Sequence, residues 1–558
     1  MKEEDKTMDY NKLADLLFPD VVNTPEFYEE KFPYRKLPNK AEVTRMAPSP
    51  TGFIHLGNLY SALADERIAH KNGGVFYLRI EDTDEKRKVD GAVELIIDTL
   101  KYFDIEFDEG AGFEENPEKN AYGPYFQRQR VDIYHAYAKS LVQRGLAYPC
   151  FCTEEELDAV RAKQEEEKVL TGYYGEYAVC RDLSMEEIEA NLAAGKSYVL
   201  RLRSQGDPEK EITFVDEIKG EIKLPENIHD IVLLKRDGIP TYHFAHAIDD
   251  HLMRTTVVVR GGEWLASAPI HYELFHVLGF KMPKYAHTAH LMKFDEETGG
   301  KRKLSKRKDP ELSLDYYRQD GYHPYCMKVY LLTLLNSNFE EWHEKFPDKD
   351  INEFPFSIDK MNQSGALFDK DKLHNICKNE LSKVSEDEVY DFLYSWAYEY
   401  ESKKAPVWFA DKEKMLAILR LYMGVGMKRR RKDLIYAKQI FKLVSYFFDI
   451  EEDDEKDEFR LDNEEVKKLL KAYLDSYSHE DDNSVWFDKL KAIADSNGYA
   501  SDMKAYKAEP EKFKGNVSDV AEVVRIAVTG HANTPDLWSI VHIMGEDQMR
   551  QRIEKILG

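Results

Sequence analysis

A histidine two residues before a glycine is the first sign of chemistry. The segment Arg45-Met46-Ala47-Pro48-Ser49-Pro50-Thr51-Gly52-Phe53-Ile54-His55-Leu56-Gly57-Asn58 lies where a β-like run ends and a helical pattern begins. Pro48 and Pro50 fix two φ angles and remove two donors. Gly52 and Gly57 let the backbone approach a ligand where a helix N-terminus offers free N–H groups and partial positive charge. His55 adds a side-chain donor, so imidazole and backbone together suit an α-phosphate. Taken alone, a strand–turn–helix with an incidental histidine explains the segment equally well.

Roughly 250 residues later, residues 299–310 join two glycines to six basic residues in eight, Lys301 to Lys308, around Lys303, Ser305 and Lys306. A mobile basic loop can close over a triphosphate and neutralise charge developing on pyrophosphate. A basic surface loop explains this run alone, but not its pairing with the His-x-Gly turn.

Carboxylates and arginines supply a second set. The strand-like Val75 to Ile80 ends in Glu81-Asp82-Thr83-Asp84, where acidic residues either face a ligand or cap the next helix. Arg260 follows Val257-Val258-Val259, and an arginine ending an apolar strand is costly to bury unless a carboxylate meets it. With Arg45 it gives two planar forks, suited to a substrate with two carboxylates. Tyr242, His243 and His246 stand nearby in sequence and add hydroxyl and imidazole groups. Cys150, Cys152 and Cys180 fall within one short span, one ligand short of a tetrahedral zinc. Tyr173, Tyr174 and Asp182 are the choices for the fourth place; the alternative is three reduced structural cysteines.

The elements that must hold these groups alternate. Strand Val43–Met46, a helix from about Leu59 to Lys71, strand Val75–Ile80 and a helix from about Gly91 to Phe103 read as a parallel α/β sheet with its site at the strand ends. A segment of different composition, 141–235, interrupts it, and Ile231 to Leu234 and Val257 to Arg260 resume it. Beyond about 312 helical patterns dominate, among them Tyr325 to Leu335 and Val389 to Tyr400, with acidic stretches at 451–458 and 480–482. The expected fold is a Rossmann-like parallel-sheet domain split by an inserted α+β domain and followed by an all-helical C-terminal region. Its parts are an extension at 1–40, first half at 41–140, insertion at 141–235, second half at 236–298, basic loop with a further segment at 299–375, and helical region at 376–558.

The chain of 558 residues is too long for one core. Its net charge of −25 excludes a general nucleic-acid coat, so an RNA partner needs local basic patches such as Lys301 to Lys308 or the unbroken Lys428 to Lys432. Each of these is also explained as a solvated face. Five cysteines make no disulfide framework, no apolar run reaches the ~18 residues that span a membrane, and no signal-peptide core follows Met1 to Lys6. A cytoplasmic protein without a membrane partner is expected.

Together, the His55–Gly57 turn and Lys303-Leu304-Ser305-Lys306-Arg307 resemble the HIGH and KMSKS signatures of class I aminoacyl-tRNA synthetases. The pattern from Arg45 through Gly57 is similar to the glutamyl-tRNA synthetase version. The resemblance runs from about 42 to the end and is looser after 310. It implies ATP-dependent attachment of L-glutamate to the 3′ end of tRNA-Glu through a glutamyl-adenylate, with Mg2+ accompanying ATP. Catalysis falls to His55, Lys303 and Lys306, and ATP contacts to these with Gly57 and Ser305. Glutamate falls to Arg45, Ala47, Ser49, Glu81, Tyr242 and Arg260, and to His246, where the family pattern has asparagine. Asp84 faces the tRNA end. The resemblance makes 141–235 the acceptor-end-binding domain, 299–375 the stem contact and the helical region the anticodon-binding part of a bacterial-type monomer. Family members carry a zinc on Cys-x-Cys and Cys-x-His with a tyrosine nearby, and Asp182 stands in place of that histidine.

An arginine that favours tRNA-Glu over tRNA-Gln in the family has no counterpart in Met423-Gly424-Val425-Gly426-Met427, so tRNA-Gln is a second expected partner. A paralogue that glutamylates a modified tRNA base lacks the C-terminal half present here. An inactive, RNA-binding relative is expected to lose the signature side chains, whereas this chain keeps His55, Gly57, Lys303, Ser305 and Lys306; Asn58 replaces the signature's second histidine and is expected to contribute little. An unrelated nucleotidylyltransferase has no reason to carry the glutamate set.

Overall fold

β-Branched and apolar runs bounded by glycine and proline become strands buried on both faces, as parallel sheets require. The computed structural model describes residues 8–50, 52, 54–87, 89–295, 297–305, 307–448 and 456–558. They form two units: Met1–Tyr316 with Lys328–Asp369, and Tyr317–Met327 with Lys370–Gly558.

In the first unit β1 (Val43–Met46) is wholly buried, α1 (Leu56–His70) follows it, and β2 (Val75–Leu78) and β3 (Glu109–Gly110) add on in parallel. The register pairs Val43 with Val75 and Met46 with Leu78, so Arg45 and Tyr77 lie side by side. Helix α1 begins three residues earlier than its apolar pattern, because His55 and Asn58 cap it: Asn58 Oδ1 accepts the His55 backbone N–H at 3.1 Å.

The second half of the α/β fold comes from α2 (Tyr242–Leu252), β4 (Val257–Gly261) and β5 (Lys284–Thr288), with β4 and β5 parallel in a sheet of their own. It is tied to the first half at Thr256, whose N–H donates to Val43 O at 2.9 Å while its Oγ1 accepts from Val43 N at 2.8 Å.

Between the halves lie the antiparallel strands Ala147–Cys150, Val199–Leu202 and Val232–Leu234, helices Glu154–Glu167 and Met185–Ala193, and a hairpin, Glu211–Asp216 with Gly220–Pro225. The hairpin docks on β5 through Asp216 beside Tyr285. The α/β sheet split by an α+β segment is therefore present.

The N-terminal stretch is two helices, Tyr10–Leu17 and Pro25–Lys31, the second begun by a proline at its first position. Glu29 holds them to Arg254 at 2.8 Å, and Arg35 grips Glu109 through two bonds of 2.7 and 2.9 Å.

The second unit is helical and has no β-strand among its described residues; Glu386–Tyr400, Lys412–Met423, Asn463–Ser476 and Val517–Thr529 are among its longer helices. The run Lys428 to Lys432 is not a helix face. Gly424, at φ 63°, ends the preceding helix, and the chain turns back so that Arg431 N donates to Met423 O. Of the acidic stretch at 451–458, residues 451–455 lie outside the described residues.

Candidate active site

β1 and β4 end side by side, and the loops leaving them enclose a cavity of about 460 Å³ at the carboxyl edge of the parallel strands. Arg45, Ala47 and Ser49 reach it from β1, His55, Gly57 and Asn58 from the head of α1, and Glu81 from the end of β2. Tyr242 and Arg260 face them from α2 and β4, and Lys303 closes the set from strand Lys301–Lys303. Residues far apart in sequence thus share one wall.

The two arginines are held differently. Arg45 Nε meets Asp250 at 3.3 Å and its Nη1 donates to Val259 O at 3.3 Å. Burial opposes its charge, but Asp250 outweighs burial and holds the guanidinium above its usual value. Arg260 rests instead on imidazoles, its Nε on His287 at 2.9 Å and its Nη1 beside His271 at 3.1 Å. No carboxylate of the described residues is within ion-pair distance of it. Glu81 is buried beside Arg79 at 3.1 Å, and burial pushes its carboxyl up despite the two arginines.

Behind the cavity lies a layer the sequence did not reveal. Arg79, fully buried, donates to Asp250 Oδ1 at 2.7 Å. The adjacent Asp249 takes Arg130 Nε at 2.7 Å, Tyr134 Oη at 2.8 Å and Gln127 Nε2 at 2.9 Å. An arginine inside an apolar strand and two aspartates in a buried helix were its only signal.

His246 belongs to this layer and not to the cavity. It has no exposure and stacks behind Tyr242 with ring centroids 5.6 Å apart. Its Nδ1 lies 2.8 Å from Asp250, and its Nε2 shares a hydrogen bond with Tyr285 Oη. Burial pushes its pKa down to about 4, so the ring is neutral near pH 7. The expectation of a wall residue is corrected to a support for Tyr242: both rings lie on one face of α2, and Tyr242, at the helix's first turn, stacks over His246 and covers it from the cavity.

Asp84 also stays outside, paired with Arg87 at 2.5 Å on the surface. Ser305 does not line the wall; its N–H donates to Asp309, which Arg302 grips through bonds of 2.6 and 2.8 Å. Lys306 lies outside the described residues. Trp264 and His290 line the cavity without having been given a role from sequence, and Asn58, expected to contribute little, lines it as well. A Cβ at Gly57 comes within 3.3 Å of His55 Nδ1, so a side chain there requires the ring to give by a few tenths of an ångström.

In the insertion the Sγ atoms of Cys150, Cys152 and Cys180 lie within 4.8 Å of one another. Tyr173 Oη is 3.4 Å from both Cys150 and Cys152, and Cys152 is 3.5 Å from Cys180. Asp182 is not with them: it is largely exposed and accepts from Arg203 at 2.9 Å, while Tyr174 Oη donates to Leu170 O.

Comparison with known proteins follows the same lines. Residues 42–375 match the family of class I tRNA synthetases (E and Q), catalytic domain, and residues 403–557 match an anticodon binding domain. The glutamate–tRNA ligase of Acetivibrio thermocellus is 55% identical over 99% of this chain and 100% of that protein, and that of Clostridium perfringens is 49% identical over the same shares. A crystal structure of a glutamate tRNA ligase from Elizabethkingia meningosepticum, in complex with its amino acid, superposes with a TM-score of 0.71 at 28% identity, covering 93% of this chain and 99% of that one.

Proposed function

The chain belongs to the class I tRNA synthetase family for E and Q, and we propose that it attaches L-glutamate to the 3′ end of tRNA-Glu at the expense of ATP. The glutamate α-carboxylate attacks the α-phosphorus, releasing pyrophosphate and leaving glutamyl-adenylate. The terminal ribose hydroxyl of the tRNA then attacks the activated carbonyl and AMP departs. The observation that carries this reading is Arg260, a guanidinium at the cavity wall without an acidic partner among the described residues, opposite an arginine that shares Asp250 with Arg79. A substrate carboxylate is the natural complement of such a group.

In this reading Arg45, Ala47, Ser49, Glu81, Tyr242 and Arg260 hold glutamate, and His246 keeps Tyr242 in place. His55, Gly57 and Lys303 take the phosphates, Ser305 and Lys306 complete the basic loop over them, and Asp84 stays available to the tRNA end. Mg2+ arrives with ATP and screens its phosphates. No protein nucleophile is required, so catalysis is positioning and charge stabilisation. His55→Ala is expected to lower kcat for aminoacylation about 10²–10³-fold while glutamate KM stays within about threefold. Near-normal turnover would contradict the phosphate role.

For the tRNA, the second unit offers a cavity of about 490 Å³ lined by Lys378, Arg431, Lys432 and Lys442. It lies partly in the stretch matched to the anticodon binding domain and suits a phosphate-bearing strand. The stretch 423–427 carries no arginine, and Arg431, which folds back against Gly424, is engaged by Asp433 at 2.6 Å. We infer that discrimination against tRNA-Gln is weak. Incubation of the protein with purified tRNA-Gln, ATP and labelled glutamate is expected to give charged tRNA-Gln; no product would sink the idea.

The three thiols fit a tetrahedral zinc, whose ~2.3 Å bonds to sulfur would hold sulfurs about 3.8 Å apart, and Tyr173 Oη, 3.4 Å from two of them, would supply the fourth ligand. Cys150, Cys152, Cys180 and Tyr173 are the residues we assign to it, where the ion would brace the strand Ala147–Cys150 against the loop carrying Cys180. Elemental analysis of protein grown with zinc should give about one zinc per chain, lost in Cys152→Ser and kept in Asp182→Ala. Metal-free wild-type protein would leave three reduced structural cysteines.

A further inference from the structure

Arg260 has five N–H bonds, and three are engaged within the protein: Nε donates to His287 Nε2 at 2.9 Å, Nη1 meets His271 Nδ1 at 3.1 Å, and Nη2 donates to Trp264 O at 3.4 Å. These three bonds leave one N–H on each terminal nitrogen, on a guanidinium that also meets the hydroxyl of the wall residue Tyr242, and a carboxylate takes such a pair through both its oxygens.

For His287 Nε2 to accept, the ring must carry its proton on Nδ1. That atom lies 2.6 Å from Asp216 Oδ2, which also accepts the His287 backbone N–H at 3.0 Å. The other oxygen, Oδ1, accepts from the N–H groups of Ile218 and Lys219 at 3.0 and 2.8 Å. Asp216 faces donors on every side, so it stays an acceptor and His287 Nδ1 must donate. Both residues are buried, which leaves water little chance to substitute for either bond.

We propose that Asp216 and His287 are positioning residues of the glutamate pocket. Asp216 selects the His287 tautomer whose Nε2 accepts from Arg260, and that bond turns the remaining two N–H groups of Arg260 toward the substrate carboxylate. The opposite tautomer sets an N–H against the Arg260 Nε–H and drives the fork out of line. Asp216 ends the first strand of the hairpin in the segment that separates the two halves of the sheet. The inserted segment therefore supplies the outermost member of a chain, Asp216 to His287 to Arg260, that ends at the substrate. This rests on the reading of Arg260 as a glutamate contact.

The test is steady-state aminoacylation by the full-length protein with tRNA-Glu and ATP saturating, alongside thermal melting. His287→Leu, which removes the acceptor, and Asp216→Asn, which offers an N–H in place of an oxygen, are each expected to raise glutamate KM about 10- to 100-fold. Their kcat and ATP KM stay within about threefold. His287→Gln retains an acceptor for Arg260 and is expected to restore glutamate KM to within about threefold of the parent. If kcat, ATP KM and glutamate KM all deteriorate together, or His287→Gln is as poor as His287→Leu, the pair is merely structural and the proposal falls. Arg260→Ala separates the two levels. A raised glutamate KM in that variant, with Asp216→Asn and His287→Leu unchanged, overturns the positioning chain alone. An unchanged glutamate KM in Arg260→Ala overturns the pocket assignment itself.

Discussion

Asp250 is a carboxylate with no solvent, lodged between two arginines that have almost none. Arg79 donates to it at 2.7 Å and Arg45 at 3.3 Å, and burial opposes the charge on all three. A lone ion there would cost several kcal/mol, so each charge is tolerable only while the others stay in place. The cluster is therefore a geometric clamp more than a source of stability. It joins residues about 200 positions apart in sequence, fixing α2 against β1 and β2. With the Thr256–Val43 bonds it joins two sheets that the insertion separates in sequence. It also decides which arginine is spent: Arg45 enters the cavity half-neutralised, whereas Arg260 arrives on neutral rings with its charge available.

The same division of charge runs through the chain. A net charge of −25 does not recommend an RNA partner, yet cations gather at the basic loop around Lys303 and along the cavity that includes Arg431 and Lys442. Acidic side chains close to these sites are largely committed to holding basic ones, as Asp309 holds Arg302 and Asp433 holds Arg431. Local arrangement, and not total charge, sets what each surface can bind.

Much of this was legible in the residues themselves. Strands β1, β2 and β4 and the helix after the His55 turn follow from alternating apolar runs and their glycine and proline boundaries. The cavity wall follows from two short motifs and two arginines. Long-range partners were not legible. Asn58, set aside as a replacement of little consequence, caps α1 and so fixes the turn in which His55 sits. His246 shares a helix face with Tyr242 but lies one turn deeper, beneath that ring, although its neighbours in sequence suggested the wall. Asp182 occupies the expected place in sequence, but Arg203 draws it into solvent, and Tyr173 approaches the thiols from a loop. The contacts of Asp216 with His287, and of Asp249 with Arg130, join segments whose pairing only the folded sheet defines.

The central claim is that one cavity activates glutamate for transfer to tRNA. Its most direct measurement is aminoacylation by the purified protein with ATP, Mg2+, tRNA-Glu and each of the labelled amino acids in turn. The account predicts an acid-precipitable, ATP-dependent product with glutamate and none with glutamine or aspartate. Failure to charge tRNA-Glu with glutamate, or equal charging with an amino acid that lacks the side-chain carboxylate, would contradict it.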